Sequence, residues 1–132
     1  MINPTLHYQK INKELVKRGA SKIGFGDYGT VYKLGDRAFK VTADVVEIAH
    51  AKKLRNFKTH HIVAIHRVVE HSSKLATIEM ELLNTPAHTP SIKELNKLRN
   101  ELLPTGIDFE ELDIRDSNFM TDSKGNVKMV DV

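Results

Sequence analysis

The chain has 132 residues and a mass of 15.0 kDa, which is enough for one domain with a hydrophobic core and needs no disulfide or structural metal. Hydrophobic residues make up 40% and charged residues 28%, which excludes a fully disordered chain. The absence of cysteine excludes disulfides, thiolate metal sites, iron–sulfur clusters and cysteine nucleophiles. No apolar run approaches the roughly 20 residues that span a bilayer, and the first residues lack the pattern of a signal peptide. We therefore expect a cytoplasmic protein with no membrane partner.

The net charge of +3 and the isoelectric point of about 9.1 are a mild basic excess. One basic cluster falls on a predicted helix, where it is typical of a solvated face: Lys10, Lys13, Lys17, Arg18 and Lys22. Nucleic-acid binding usually needs a more concentrated patch, so we do not expect a nucleic-acid partner.

The first predicted element is a helix over residues 1–19. Asn3 and Pro4 are typical of a helix start, and Gly19 is typical of a stop. The apolar stripe of this helix would be Leu6, Ile11, Leu15 and Val16.

Residues 20–83 predict five strands with one helix after the third. The strands are expected at 21–26, 30–34, 38–41, 62–69 and 75–83, with a hairpin turn at Gly35-Asp36 and another turn over 70–74. The helix is expected at 44–57, with Asp44 as its cap and Glu47 three residues later, as in a capping box.

Residues 84–132 predict a polar connector over 84–90, a helix that starts at Thr89-Pro90, and a small terminal hairpin that turns at 122–125. Pro104 and Gly106 would end the helix. Its inward stripe would be Ile92, Leu95, Leu98 and Leu102.

The first motif that carries chemistry is GFGDYGTV at 24–31. Glycines at Gly24, Gly26 and Gly29 allow close backbone approach to phosphate oxygens, although a tight hairpin could need them equally. A dinucleotide fingerprint should lead from a strand into a helix, whereas this segment leads into a predicted strand. The pattern therefore favours a strand–loop–strand cover over a nucleotide.

Lys40 and Glu47 each have two interpretations. Strand alternation places Ala38 and Lys40 on one face and Phe39 and Val41 on the other, so Lys40 either meets the glycine-rich loop or lies at the surface. Glu47 either completes the capping box or forms an ion pair with Lys40.

Acidic and amide side chains gather near the end of the chain. Asp113, Asn118 and Asp131 could converge on one hard cation, and a small set of oxygen ligands suits Mg²⁺ shared with phosphates. Each of them could equally be a turn residue. The seven histidines lack the helical i, i+4 spacing of a zinc site, and we expect them to be structural or surface residues.

Taken in order, these motifs resemble the protein-kinase-like superfamily over residues 20–132, and within it the small phage-encoded serine/threonine kinases. The resemblance implies an α+β fold. Residues 1–19 would be an N-terminal helix, residues 20–83 an N-lobe with a five-stranded antiparallel sheet and helix C, and residues 84–132 a reduced C-lobe with one helix, a catalytic loop and a short β-hairpin.

The resemblance also implies roles for individual residues. Lys40 would hold the phosphates of ATP and Glu47 would hold Lys40, while Asp113 would accept the proton of the substrate hydroxyl and Arg115 would stabilise the transferred phosphoryl group. Asn118 and Asp131 would hold Mg²⁺. The remaining nucleotide-binding residues would be Gly24, Gly26, Gly29, Val31, Ala38, Met80 (the gatekeeper), Glu81, Leu83 and Met120.

The chain departs from the family pattern at several points. Glu111 and Leu112 stand where the family has the His and Arg of the catalytic-loop motif, and the segment between Lys40 and Glu47 is short. Val132 follows Asp131, so the given sequence has no D-F-G Phe or Gly, no activation segment and no peptide-binding C-lobe helices.

Two hypotheses follow. The first is an ATP–Mg²⁺-dependent phosphotransferase acting on a protein, located in a host cytoplasm if the chain is phage-encoded. The second is a non-catalytic, pseudokinase-type module that binds a nucleotide or a protein partner, with a homodimer as one way to cover the shortened C-lobe. The sequence also allows the chain to be a fragment.

Overall fold

The computed structural model describes residues 4–25, 29–83, 85–87, 89–112, 114–115 and 118–130. Within them lie three α-helices: α1 (Pro4–Lys17), α2 (Val45–Leu54) and α3 (Ile92–Leu102). The strands are β1 (Ser21–Phe25), β2 (Gly29–Leu34), β3 (Arg37–Thr42), β4 (Ile65–Ser72), β5 (Leu75–Glu81), β6 (Thr85–Pro86), β7 (Phe119–Thr121) and β8 (Val127–Met129).

The first five strands form one antiparallel sheet in the order β1-β2-β3-β5-β4, which confirms the predicted α+β class and the five-stranded sheet. Gly35 has a φ of 63°, so the β2–β3 hairpin turns through a backbone conformation that favours glycine. The turn predicted at 70–74 is too long, because β4 continues to Ser72, which pairs directly with Leu75.

Helix α1 packs on one face of this sheet. Tyr8, Ile11 and Leu15 follow the i, i+3, i+7 spacing of a helix face and cluster with sheet residues that include Tyr32 and Val41. The hydroxyl groups of Tyr8 and Thr30 also form a hydrogen bond, which joins α1 to β2.

The stripe predicted for α1 is therefore partly wrong. Leu6 and Val16 are exposed, whereas Ile11 and Leu15 do pack against the sheet. The correct stripe includes Tyr8, whose ring supplies apolar surface while its hydroxyl finds a polar partner.

Helix α2 packs on the opposite face. Its Ala51 joins a buried cluster with Ala38 of β3, Ile78 and Met80 of β5, and Val63. The carboxylate of Asp44 caps the helix, as predicted, by accepting hydrogen bonds from the amides of Val46 and Glu47.

A second, three-stranded sheet has the order β6-β7-β8. The predicted terminal hairpin is present as β7 and β8. The predicted connector over 84–90 contains a strand that the sequence pattern did not indicate, since Thr85 and Pro86 pair with Thr121 and Met120.

The two sheets are joined by a buried seam. Ile62 forms a parallel β-bridge with Met129, and the amides of Val63 and Met129 donate to the carbonyls of Met129 and His61 at 2.9 Å each. Around this bridge lies one apolar cluster drawn from both parts of the chain: Leu54, Ile62, Leu98, Leu102, Ile107, Phe119, Val127 and Met129.

Helix α3 begins two residues later than predicted from Thr89-Pro90. Ser91 is the cap and forms a reciprocal capping box with Glu94. Leu98 and Leu102 are buried and Leu95 is half-buried, but Ile92 is 79% exposed. The prediction for Ile92 was wrong because the first turn of the helix extends beyond the cluster.

Within the described ranges, no helix combines the length and apolar character needed to cross a bilayer.

The seam predicts a contrast between two isoleucines. Ile62 is fully buried, so we expect Ile62→Ala to lower the free energy of unfolding by about 2–5 kcal/mol. The same change at exposed Ile92 should alter it by less than about 0.5 kcal/mol. Urea unfolding of both variants measures the contrast, and equal losses would contradict the placement of the seam.

A second prediction concerns pH. His71 of β4 contacts the ring of His7 on α1 and shares a hydrogen bond of 2.7 Å with the hydroxyl of Thr77. Burial, followed by repulsion from His7, lowers the pKa of His71 below its ordinary value of 6.5. Below pH 6.5 the unfolded chain takes up a proton that the folded chain resists, so stability that is full above this pH is lost as the pH falls toward the lowered pKa.

We therefore expect the melting temperature to fall between pH 7.5 and pH 5.5, and to fall less in a His71→Gln variant, which keeps a polar side chain but cannot titrate. Parallel pH profiles of the two proteins would show that His71 does not contribute.

Candidate functional site

A cavity of about 190 Å³ lies between the two sheets. It is lined by Ile23, Gly24, Val31, Ala38, Lys40, Met80, Glu81, Leu83, Asn118, Met120 and Val130. Of the ten residues predicted for nucleotide binding, eight line this cavity, although they come from five strands and the segment after β5.

Strand register explains why the cavity has apolar walls. Val31 pairs with Lys40, and Ala38 pairs with Met80, so all four side chains lie on the same face of the large sheet. Met120 of the small sheet lies opposite them. The alternation predicted for β3 is confirmed, since Phe39 and Val41 cluster with α1 on the other face.

A β-bulge brings Gly24 into the cavity. The pairing of β1 with β2 shifts register between Lys22, which faces Tyr32, and Gly24, which faces Val31. Ile23 is the extra residue and also lines the cavity, a position that the sequence analysis missed. A regular strand would instead have paired Ile23 with Val31 and placed Gly24 on the α1 face.

Lys40 and Glu47 form a buried ion pair at the cavity. The distance from Lys40 Nζ to Glu47 Oε2 is 2.5 Å, and their side chains are 15% and 8% exposed. Asp44 caps the backbone amide of Glu47, while the Glu47 carboxylate reaches across to β3. Of the two interpretations, the structure thus shows the ion pair.

The segment that follows β5 closes one side of the cavity. Leu82 and Leu83 lie beyond Glu81, which is the last paired residue of β5. The Glu81 carboxylate accepts hydrogen bonds from the Ala64 amide at 3.2 Å and from Lys128 Nζ at 3.0 and 3.1 Å. These contacts tie the end of β5 to β8.

Asn118 is buried and borders the cavity from the opposite side. The backbone amide of Asn118 donates to the backbone carbonyl of Arg115 at 3.0 Å. The backbone carbonyl of Asn118 accepts from the backbone amide of Val130 at 2.9 Å. The second bond fixes Asn118 beside Val130, another lining residue that the sequence analysis missed. The sequence signal that could have indicated Val130 as a lining residue is its position directly before the predicted metal ligand Asp131.

Arg115 is a predicted site residue that the structure does not bring to the cavity. Arg115 is exposed and does not line the cavity. Gly26, Asp113 and Asp131 lie outside the described residues. Among the residues that are described, no three His, Asp or Glu side chains are grouped as a metal site would require.

Gly29 is not a lining residue either, and its glycine has a packing reason. A Cβ atom at this position would lie 2.8 Å from the carbonyl oxygen of Val41 on the neighbouring strand. Close packing against β3 is therefore enough to explain why position 29 is a glycine, without the predicted contact between Gly29 and a nucleotide.

The two glycines predict different effects of one substitution. We expect Gly29→Ala to cost about 1–3 kcal/mol of stability, because backbone atoms must move to accept the new methyl group. Gly24→Ala should cost less than about 0.5 kcal/mol, since no atom lies within 4 Å of the added Cβ. Thermal unfolding of both variants provides the comparison, and a larger loss at Gly24 would refute it.

Comparison of the chain with models of known protein families gives no match, and a search of curated proteins gives none either.

Proposed function

We propose that this chain is a kinase-like phosphotransferase that binds ATP and Mg²⁺ between an N-lobe, built on the large sheet and α2, and a reduced C-lobe, built on α3 and the small sheet. The observation that carries the proposal is a single one. An apolar cavity between two sheets adjoins a buried lysine–glutamate ion pair, with the lysine contributed by the cavity's own wall.

The apolar part of the cavity suits a flat base. Val31 and Ala38 offer one wall and Met120 the opposite one, which would sandwich an aromatic ring. At about 190 Å³ the cavity is below the range of roughly 300–1,000 Å³ that encloses a whole drug-sized ligand, so it would take the base while the phosphates extend past it. The backbone of Leu83, which lies at the cavity beyond the last residue of β5, would meet the edge of the base.

Lys40 supplies the positive charge that a polyphosphate requires. Its ammonium group is held by Glu47, and such a fixed charge in a partly dry site attracts an anion more strongly than a mobile surface lysine does. Glu47 would thus be a positioning residue that acts through Lys40.

The chemical step would move the terminal phosphoryl group from the leaving ADP oxygen to an acceptor hydroxyl oxygen on a protein. Asp113 would accept the hydroxyl proton. Asn118 and Asp131 would hold Mg²⁺, whose contribution when bound is to neutralise charge on the phosphates. The buried Asn118 at the cavity border supports this assignment, because an amide oxygen is an acceptable ligand for a hard cation.

The first test measures ATP binding with and without Mg²⁺ by calorimetry, then transfer of labelled phosphate to the protein itself and to a cell extract. We expect Mg²⁺-dependent binding and transfer, with transfer reduced by about 100-fold or more in Asp113→Ala and in Asp131→Ala. Phosphate transfer that survives in both variants would contradict the assignment of Asp113 and Asp131 to the site. Binding without transfer would instead support the second hypothesis, a non-catalytic nucleotide-binding module.

The second test separates the role of Lys40 in binding from its role in the fold. Lys40→Met leaves the buried Glu47 carboxylate without its lysine, so we expect a loss of about 3–5 kcal/mol in stability as well as loss of ATP binding. The double variant Lys40→Met/Glu47→Gln removes both charges and should recover most of the stability but none of the binding. Lys33→Met, on the exposed part of β2, is the matched control and should bind ATP normally. ATP binding by the double variant would contradict the role of Lys40.

A further inference from the structure

A polar groove of about 800 Å³ adjoins the cavity described above and shares Glu81 and Leu83 with it. Its walls are the 60–61 segment before β4, the end of β5, helix α3 and the turn between β7 and β8. Its charged and imidazole side chains are His60, His61, Glu81, Lys97, Asp122, Lys124 and Lys128.

The two acidic groups among the described residues of the groove, Glu81 and Asp122, already accept hydrogen bonds within the protein. Glu81 accepts hydrogen bonds from Lys128 and from the amide of Ala64. Asp122 lies 3.7 Å from the same Lys128 Nζ and accepts three hydrogen bonds of 2.8–3.0 Å inside its turn, from the amides of Lys124 and Asn126 and from the side chain of Asn126.

These contacts keep Asp122 ionised. The hydrogen bond from the Asn126 side chain, reinforced by the amides of Asn126 and Lys124 and by the charge of Lys128, lowers the pKa of Asp122. Lys128 is thus shared between two carboxylates. Together Glu81, Asp122 and Lys128 carry a formal net charge of −1, and the hydrogen bonds described above use part of the acceptor capacity of both carboxylates.

Lys97 and Lys124 add two positive charges, which bring the formal net charge of the described groove residues to +1. Neither Lys97 on α3 nor Lys124 in the β7–β8 turn pairs with a carboxylate among the described residues. His60 and His61 add ring nitrogens on the third wall. The backbone of this segment is fixed to α3, because both histidine amides donate to the Glu101 carboxylate, at 2.7 and 2.8 Å.

We propose that this groove binds an acidic peptide segment of a partner protein. Its unpaired cationic groups stand on separate walls of a wide, open space. Such a distribution suits a ligand with several negative groups along one chain better than a single small anion, which needs donors that converge on one point. The proposal stands independently of the proposed function, because neither Lys97 nor Lys124 lines the nucleotide cavity.

The test uses the full chain and a fluorescein-labelled peptide of six glutamates, with a peptide of six glutamines as the uncharged comparison. Fluorescence anisotropy measures binding to the wild type, to Lys97→Glu/Lys124→Glu and to Lys10→Glu/Lys13→Glu. The last variant reverses two exposed lysines of α1 and therefore has the same net charge as the groove variant. Circular dichroism establishes that both variants are folded.

We expect the acidic peptide to bind the wild type, and the groove variant to bind it about tenfold more weakly while the α1 variant changes by less than about twofold. Equal loss in the two variants would overturn the proposal, since it would mean attraction to overall charge. It would also be overturned by equal binding of the glutamine peptide, by no binding to the wild type, or by displacement of the peptide by inorganic phosphate at equal concentration. Loss of ATP binding in the variants of Lys40 bears on the cavity alone and leaves this outcome unaffected.

Discussion

A buried pair of opposite charges, Lys40 and Glu47, constrains the arrangement of β3 against α2. Taking both groups out of water costs several kcal/mol per ion, and the cost is recovered only if the two stay in contact. The contact at 2.5 Å therefore fixes how far α2 stands from the sheet. An apolar pair of similar size could hold the two elements together as well, so the presence of charge at this position is consistent with a role beyond packing.

The surrounding apolar layers support that pair from several sides. Helix α1 covers one face of the large sheet through Leu15, and α2 covers the other through Ala51. The bridge between Ile62 and Met129 then fixes the small sheet to the large one. The cavity is the space that these constraints leave unfilled, and its two walls cannot separate without breaking the buried seam.

Much of the fold could be predicted because it depends on local pattern. Alternation in β3 placed Lys40 on the correct face, and Asp44 marked the start of α2. The orientation of the Glu47 carboxylate could not be predicted, since capping and ion pairing both satisfy the local sequence and only the position of β3 selects between them. The order and spacing of motifs along the chain indicated most of the residues that line the cavity.

The features that were missed depend on contacts between distant parts of the chain. The bulge that adds Ile23 is a property of the pairing between β1 and β2, and strand β6 exists only because Thr85 and Pro86 meet β7. Exposure of Ile92 likewise reflects where the neighbouring cluster ends, which the helical period alone does not reveal. For Gly29, the nearby carbonyl of Val41 belongs to another strand, so a packing role could not be distinguished from a ligand-binding one.

Glu81 borders both the cavity and the groove, and its carboxylate forms a salt bridge with Lys128, which lines the groove. An occupant of the groove that drew Lys128 away would alter the end of β5, where the cavity closes. Thermodynamic linkage makes such an influence reciprocal: whatever factor the first occupant imposes on the affinity of the second, the second imposes on the first. If both proposed occupants bind, the shared carboxylate of Glu81 would be the point at which their two neighbouring spaces meet.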